Sequence, residues 1–174
     1  VTKRDAKGMT PLCYACYSGS LATVMLLLKR GAAIDAADKN GMTPLIHAVK
    51  WQHPELVEYL LHHGASCDAQ DRNGKSALHH AFEHLSVAED AIQRAVALQM
   101  IASVTEYSPR LDVADFSGMT PKKLAQMLYR ERQAAEEDLL EMRRRRRREA
   151  REPVEVEVAG KAKASALVKK HLGK

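Results

Sequence analysis

Cysteine is scarce in this 174-residue chain: there are three, an odd number, without the dense spacing of a secreted disulfide scaffold. That argues against a disulfide framework and for a reducing intracellular compartment. No stretch approaches the roughly 18 consecutive apolar residues of a membrane-spanning helix, and the N-terminus shows no charged-then-apolar signal pattern. Motifs of chemistry are missing too: no nucleophile elbow, P-loop, dinucleotide fingerprint or His-Glu-x-x-His occurs. Catalysis is therefore not expected, nor a cofactor or a small-molecule substrate.

Charge is unevenly divided. Residues 1–114 hold 11 Lys and Arg against 12 Asp and Glu, a net −1, while residues 115–174 hold 16 against 10, a net +6. Essentially all of the basicity thus belongs to the C-terminal third.

What the chain does have is a phrase that recurs. It reads Asp5-Ala6-Lys7-Gly8-Met9-Thr10-Pro11-Leu12, then Asp38-Lys39-Asn40-Gly41-Met42-Thr43-Pro44-Leu45, then Asp71-Arg72-Asn73-Gly74-Lys75-Ser76-Ala77-Leu78, and last Asp115-Phe116-Ser117-Gly118-Met119-Thr120-Pro121. Steps of 33, 33 and 44 residues separate the aspartates, a period that means stacked supersecondary units. Within each unit Asp and Gly set a tight turn, with Gly supplying the positive φ. Thr stands where a helix N-cap is wanted, and Pro follows at the first helical position, where its missing N–H costs nothing.

A short first helix is predicted over roughly Pro11 to Tyr17 and Pro44 to Trp51. A second carries an apolar stripe, Val24, Leu27 and Leu28 in one unit and Val57, Leu60 and Leu61 in the next. Gly31 and Gly64 are placed to end these helices as left-handed caps.

The unit resembles the ankyrin repeat. The T-P-L-H-x-A start of that family is matched by Thr10-Pro11-Leu12-Cys13-Tyr14-Ala15, Thr43-Pro44-Leu45-Ile46-His47-Ala48 and Ser76-Ala77-Leu78-His79-His80-Ala81; its second-helix ending is matched by Leu27-Leu28-Lys29-Arg30-Gly31-Ala32 and Leu60-Leu61-His62-His63-Gly64-Ala65. The resemblance implies an all-α solenoid of helix-turn-helix units with β-turn or hairpin loops. Residues 1–130 divide into the end of a truncated repeat (1–4), repeats at 5–37, 38–70 and 71–114, and a capping half-repeat (115–130). A charged helix over 131–151 and a disordered tail over 152–174 follow.

Three departures from the pattern matter. The third unit has 11 extra residues, about three helical turns, which a second helix extended across Val87 to Tyr107 would absorb, with Ile92, Val96, Ile101 and Val104 as its apolar positions. Ser108-Pro109 stands where the glycine cap belongs, so that helix is expected to end by proline. The fourth unit has Lys122 where Leu12 and Leu45 stand, as a polar capping unit would. At the other end, Val1 occupies the apolar position that closes a repeat, and Val24 to Leu28 is apolar throughout, so the chain reads as an excised piece of a longer array.

Cys13 and Cys16 form a CxxC without a second ligand pair or a thioredoxin-like context, and a packing role is expected for both. His80 and His84 share a helix face as zinc ligands can, but no third ligand has suitable spacing, so no metal site is assigned. His79 matches the helix-start histidine of the family, which orders the turn.

By resemblance, the partner-binding positions are the turn tips and the exposed ends of the first helices, which form a concave face. The tips carry Lys7 and Met9, then Lys39, Asn40 and Met42, then Arg72, Asn73 and Lys75. The helix ends carry Tyr17 and Ser18, Lys50 and Trp51, and Glu83 and His84. Trp51, the only tryptophan, either anchors a partner together with Tyr17 or folds down over its neighbouring repeat.

Arg143, Arg144, Arg145, Arg146, Arg147 and Arg148 form an unbroken basic run. It suits an import receptor, a nucleic acid or an anionic lipid; alternatively it is a solvated helix with Glu141 set for a pair with Arg145. No aromatic residue interleaves with the run, which weakens single-strand binding by stacking. The expected function is a non-catalytic scaffold that binds an unidentified protein, cytoplasmic or, through the arginine run, nuclear. Two alternatives are a regulatory or targeting segment of a larger enzyme or channel, and an arginine helix that binds nucleic acid or lipid.

Overall fold

The structure, a computed structural model, describes residues 3–134 and 136–146. The chain divides into two units, Val1–Leu128 and Tyr129–Lys174. The first contains α1 (Pro11–Tyr17), α2 (Leu21–Lys29), α3 (Pro44–Lys50), α4 (Pro54–His62), α5 (Ala77–Val87) and α6 (Ala91–Glu106), and residues 121–128 are helical as well. There is no strand among the described residues; the loops close as turns, not as hairpin ladders.

The first helices begin where side-chain chemistry meets the backbone groups of the N-cap, whereas α2 and α4 start with no side-chain cap bond. Thr10 Oγ1 accepts from Cys13 N–H at 3.2 Å and Thr43 Oγ1 from Ile46 N–H at 3.3 Å, with Pro11 and Pro44 at the first helical position. At α5 the roles shift: His79 Nδ1 accepts from the Ser76 backbone N–H at 3.1 Å and lies 2.9 Å from its hydroxyl. The second helices end on a left-handed residue, Gly31 at φ 77° and Gly64 at φ 85°. After α6 the same place is taken by Ser108 at φ 52°, so the left-handed cap is kept without glycine, and Pro109 only follows it.

The 11 extra residues of the third unit are divided between two helices, not placed in one. Junctions 18–20, 51–53 and 88–90 all have three residues, and returns 30–43, 63–76 and 107–120 all have fourteen. Every added residue is therefore helical: α5 has four more than α1 or α3, and α6 has seven more than α2 or α4. Four and seven residues are close to one and two whole turns, so the faces of both helices keep their direction. The expected second helix over Val87 to Tyr107 is corrected accordingly, because α5 runs through Val87 and Asp90 starts α6 by accepting from Gln93 N–H at 2.7 Å. Ile92 lies in the added turns and is 76% exposed, while Ala97, Met100 and Val104 bury the α6 face.

α1, α3 and α5 pack side by side, α4 packs on α6, and each first helix packs on the second helix of its own unit. Leu45, Ile46, Leu56, Val57, Leu60, Leu61 and Leu78 fill the interior at 1% exposure or less. Each such side chain contributes about 1.5–3 kcal/mol by leaving water. Backbone bonds tie the turns in sequence: Lys39 N–H donates to Lys7 O at 3.0 Å, Arg72 to Asn40 at 2.8 Å and Phe116 to Asn73 at 2.9 Å.

In the second unit, residues 129–134 and 136–146 are helical and exposed, and Arg132 Nε donates to Glu136 Oε1 at 3.0 Å. The expected tail over 152–174 lies outside the described residues, as does the end of the helix expected to reach 151. No described helix is long and apolar enough to cross a membrane.

Gly41 and Gly64 separate two constraints that both favour glycine. A Cβ on Gly64 would meet nothing within 4 Å, whereas one on Gly41 would lie 3.1 Å from backbone atoms of Asp71 and Arg72 in the next turn. Gly64→Ala is expected to cost about 1–2 kcal/mol from the left-handed backbone alone. Gly41→Ala should cost at least about 1 kcal/mol more through that overlap. Urea denaturation of the two variants checks the order.

Candidate functional site

One carboxylate organises every turn. Asp5 Oδ1 accepts backbone N–H bonds from Lys7 at 2.9 Å and Met9 at 2.8 Å, and Asp38 Oδ1 does so from Asn40 at 2.7 Å and Met42 at 3.0 Å. Asp71 repeats the pattern with Asn73 at 2.8 Å and Lys75 at 3.0 Å, and Asp115 with Ser117 and Met119, both at 2.9 Å. The second oxygen, Oδ2, reaches nine residues ahead to the first helix: to Tyr14 OH at 2.6 Å, His47 Nε2 at 3.2 Å and His80 Nε2 at 3.1 Å. Leu124 occupies that place in the fourth unit and cannot donate.

These pairs were not foreseen from the sequence, although the spacing Asp38 to His47 and Asp71 to His80, repeated at the unit period, was a usable signal. Their electrostatics differ by unit. The Tyr14 hydroxyl holds the exposed Asp5 carboxyl below its usual range, and Asp5 in turn raises the Tyr14 phenol. Burial holds His47 below the usual imidazole range, only partly opposed by Asp38. Its neutral ring donates from Nε2, and Nδ1 is buried with no hydrogen-bond partner. Burial lowers His80 likewise, against the pull of Asp71 and of Glu83, whose Oε2 lies 3.3 Å from Nδ1.

The tips present Lys7, Lys39, Asn40, Arg72 and Asn73 as exposed side chains. Met9 is half-buried, and Met42, expected at the tip, is instead part of the core at 7% exposure. It belongs to the core cluster, whereas Met9 and Met119, with the same backbone bond to their turn aspartates, are only half-buried. Lys75 is not free either, since its ammonium pairs with Glu83, which raises the Lys75 pKa.

At the helix ends, Tyr17, Ser18, Lys50 and Trp51 are exposed, while Glu83 and His84 are half-buried. The Tyr17 and Trp51 rings meet edge to face, centroids 4.5 Å apart at 66°, and each stays nearly half exposed, at 46% and 45%. Two histidines lock the junctions beneath them. His53 Nε2 donates to Tyr17 O at 3.3 Å, and His84 Nε2 to Lys50 O at 3.1 Å, while the Gln52 amide donates to His84 Nδ1 at 3.0 Å. Gln52 sits at φ 57°, where the first unit has Gly19 at φ 77°. Its amide bond to His84 accompanies that unusual backbone.

His80 and His84 thus spend their ring nitrogens on neighbours within the frame, and no described group of three or more His, Cys, Asp or Glu could hold a metal. Cys13 and Cys16 are fully buried, and burial pushes the Cys16 thiol up to about 12, so it is no thiolate nucleophile. Arg143 to Arg146 are exposed, whereas Arg147 and Arg148 lie outside the described residues.

Residues 1–71 match the family model described as ankyrin repeats in three copies. That segment of the chain belongs to the ankyrin repeat family, whose members are in general modules of protein–protein interaction and typically non-catalytic. The same carboxylate-locked turn recurs beyond it at Asp115. No curated protein matches the chain.

His47 gives the frame a pH dependence whose sign is set by burial, which outweighs the opposing carboxylate of Asp38 and acts in the same direction as the more distant Lys50 and His80. Because its folded pKa is depressed, the unfolded chain binds the proton more readily, and stability falls as pH drops through about 6.5. The melting temperature, followed by circular dichroism from about pH 7.5 to about pH 5.5, should fall less in His47→Gln than in the unaltered chain.

Proposed function

We propose that the chain is a non-catalytic protein-binding scaffold whose partner lies along the turn tips and first helices, the concave face of an ankyrin array. The observation that carries this reading is the Tyr17–Trp51 pair, two rings from successive repeats in mutual contact and half exposed. Large rigid aromatics dominate interface energetics, and here their backbone is already held by His53 and His84. Since tips and junctions are locked before any partner arrives, binding orders few groups on this side. The buried free thiols of Cys13 and Cys16 support an intracellular setting.

A second reading rests on Arg143 to Arg146, exposed on helical residues and suited to an import receptor or an anionic surface. It concerns targeting and is compatible with the first.

The test is capture of cellular proteins on the immobilised chain, compared with the Tyr17→Ala, Trp51→Ala double variant. Both positions are surface-exposed, so the variant should keep its helical circular dichroism and lose its partners. Partners retained at undiminished yield would place the binding face elsewhere.

A further inference from the structure

The two layers of the first unit carry opposite charge. The turns and first helices, together with the fourth turn and its helix (residues 3–18, 38–51, 71–87 and 115–128), hold nine Lys and Arg against five Asp and Glu, a net +4. The junctions, second helices and returns (residues 19–37, 52–70 and 88–114) hold four against eight, a net −4. The unit is neutral over residues 3–128, so its whole imbalance is one of placement.

The asymmetry sharpens once committed groups are set aside. Three of the five acids in the first layer, Asp38, Asp71 and Asp115, are buried and spend their carboxylates on the turns. A fourth, Asp5, is held by the Tyr14 hydroxyl and its own turn, and Glu83 is paired with Lys75. Lys7, Lys39 and Arg72 at the tips of successive units, and Lys50 beside Trp51 in the sequence, are by contrast exposed.

Resting on the protein-binding reading above, we propose that the partner segment is an acidic peptide, whose carboxylates lie along Lys7, Lys39, Lys50 and Arg72 and whose aromatic side chain seats on Tyr17 and Trp51. Separated single cations suit carboxylates spaced along an extended peptide, and complementary charge steers the encounter and fixes its register. The ring pair, at the helix ends beyond the tips, supplies what charge alone does not, an apolar anchor. Nucleic acid fits less well: the exposed cations are few and mostly Lys, which lacks the planar fork that grips phosphate in a bidentate manner.

Trp51, as the only tryptophan, reports on this site directly. The intact chain is titrated with a random glutamate–tyrosine copolymer, with polyglutamate, with polylysine and with a DNA duplex, and Trp51 emission is read on selective excitation. The copolymer should give a saturable change that weakens with added salt, polyglutamate a weaker one, and polylysine none. The Lys39→Glu, Arg72→Glu double variant alters two exposed side chains, and its folding is confirmed by circular dichroism. It should bind the copolymer about tenfold or more weakly. Reading emission at Trp51 keeps copolymer bound at the arginine run from counting.

The acidic-peptide proposal is overturned by copolymer affinity unchanged in the double variant, by no Trp51 response to the copolymer, or by a duplex that binds at Trp51 as tightly as the copolymer. If cellular partners are still lost on Tyr17→Ala, Trp51→Ala while the copolymer result fails, the protein-binding reading stands and only the acidic partner is removed.

Discussion

The carboxylate that opens each turn is the constraint on which the first unit depends. Its Oδ1 takes two backbone N–H groups that would otherwise be left over in a loop too tight to pair them, and so fixes the glycine turn. In three of the four turns its Oδ2 then reaches the first helix of the same unit, so turn and helix move as one piece. One backbone bond passes from each turn to the next, and the Thr caps start each short helix in the same place relative to it. Helices of seven residues are marginal alone; the turn and the neighbouring core hold them.

Charge on this frame follows from the same arrangement. Acids in the turn layer are consumed as structural acceptors, while the tip side chains Lys39 and Arg72 and the acids of the second helices are exposed to solvent. The face gains its sign by what the fold uses up, as much as by what the sequence adds.

Much of this was legible because it is local. Asp, Gly, Thr and Pro within eight residues specify a turn, a cap and a helix start without reference to anything distant, and the period shows that the units stack. Positions whose fate depends on packing were less so. Met42 reads as a tip residue, yet it packs into the core cluster, which the same turn bond at Met9 does not bring about. The split of the long third unit was written at Asp90 and Gln93, the spacing of a capping pair: Gln93 Oε1 accepts from Glu89 N–H at 3.2 Å while Asp90 takes Gln93 N–H. The edge-to-face contact of Tyr17 with Trp51 joins residues 34 apart, one more than the 33-residue period, so the repeat alone did not pair them; Gln52, next to Trp51, takes a backbone conformation that favours glycine.

The lengthened α5 and α6 show how the architecture separates variation from display. Growth by near-integral turns at the helical junction leaves the three-residue connection and the fourteen-residue return unchanged. Stature at the junction end is thus a free parameter, while the spacing of the tips is conserved by construction. A molecule of this kind can acquire new outer territory, here marked by Val87 at 70% and Ile92 at 76% exposure, without altering the spacing of its tips.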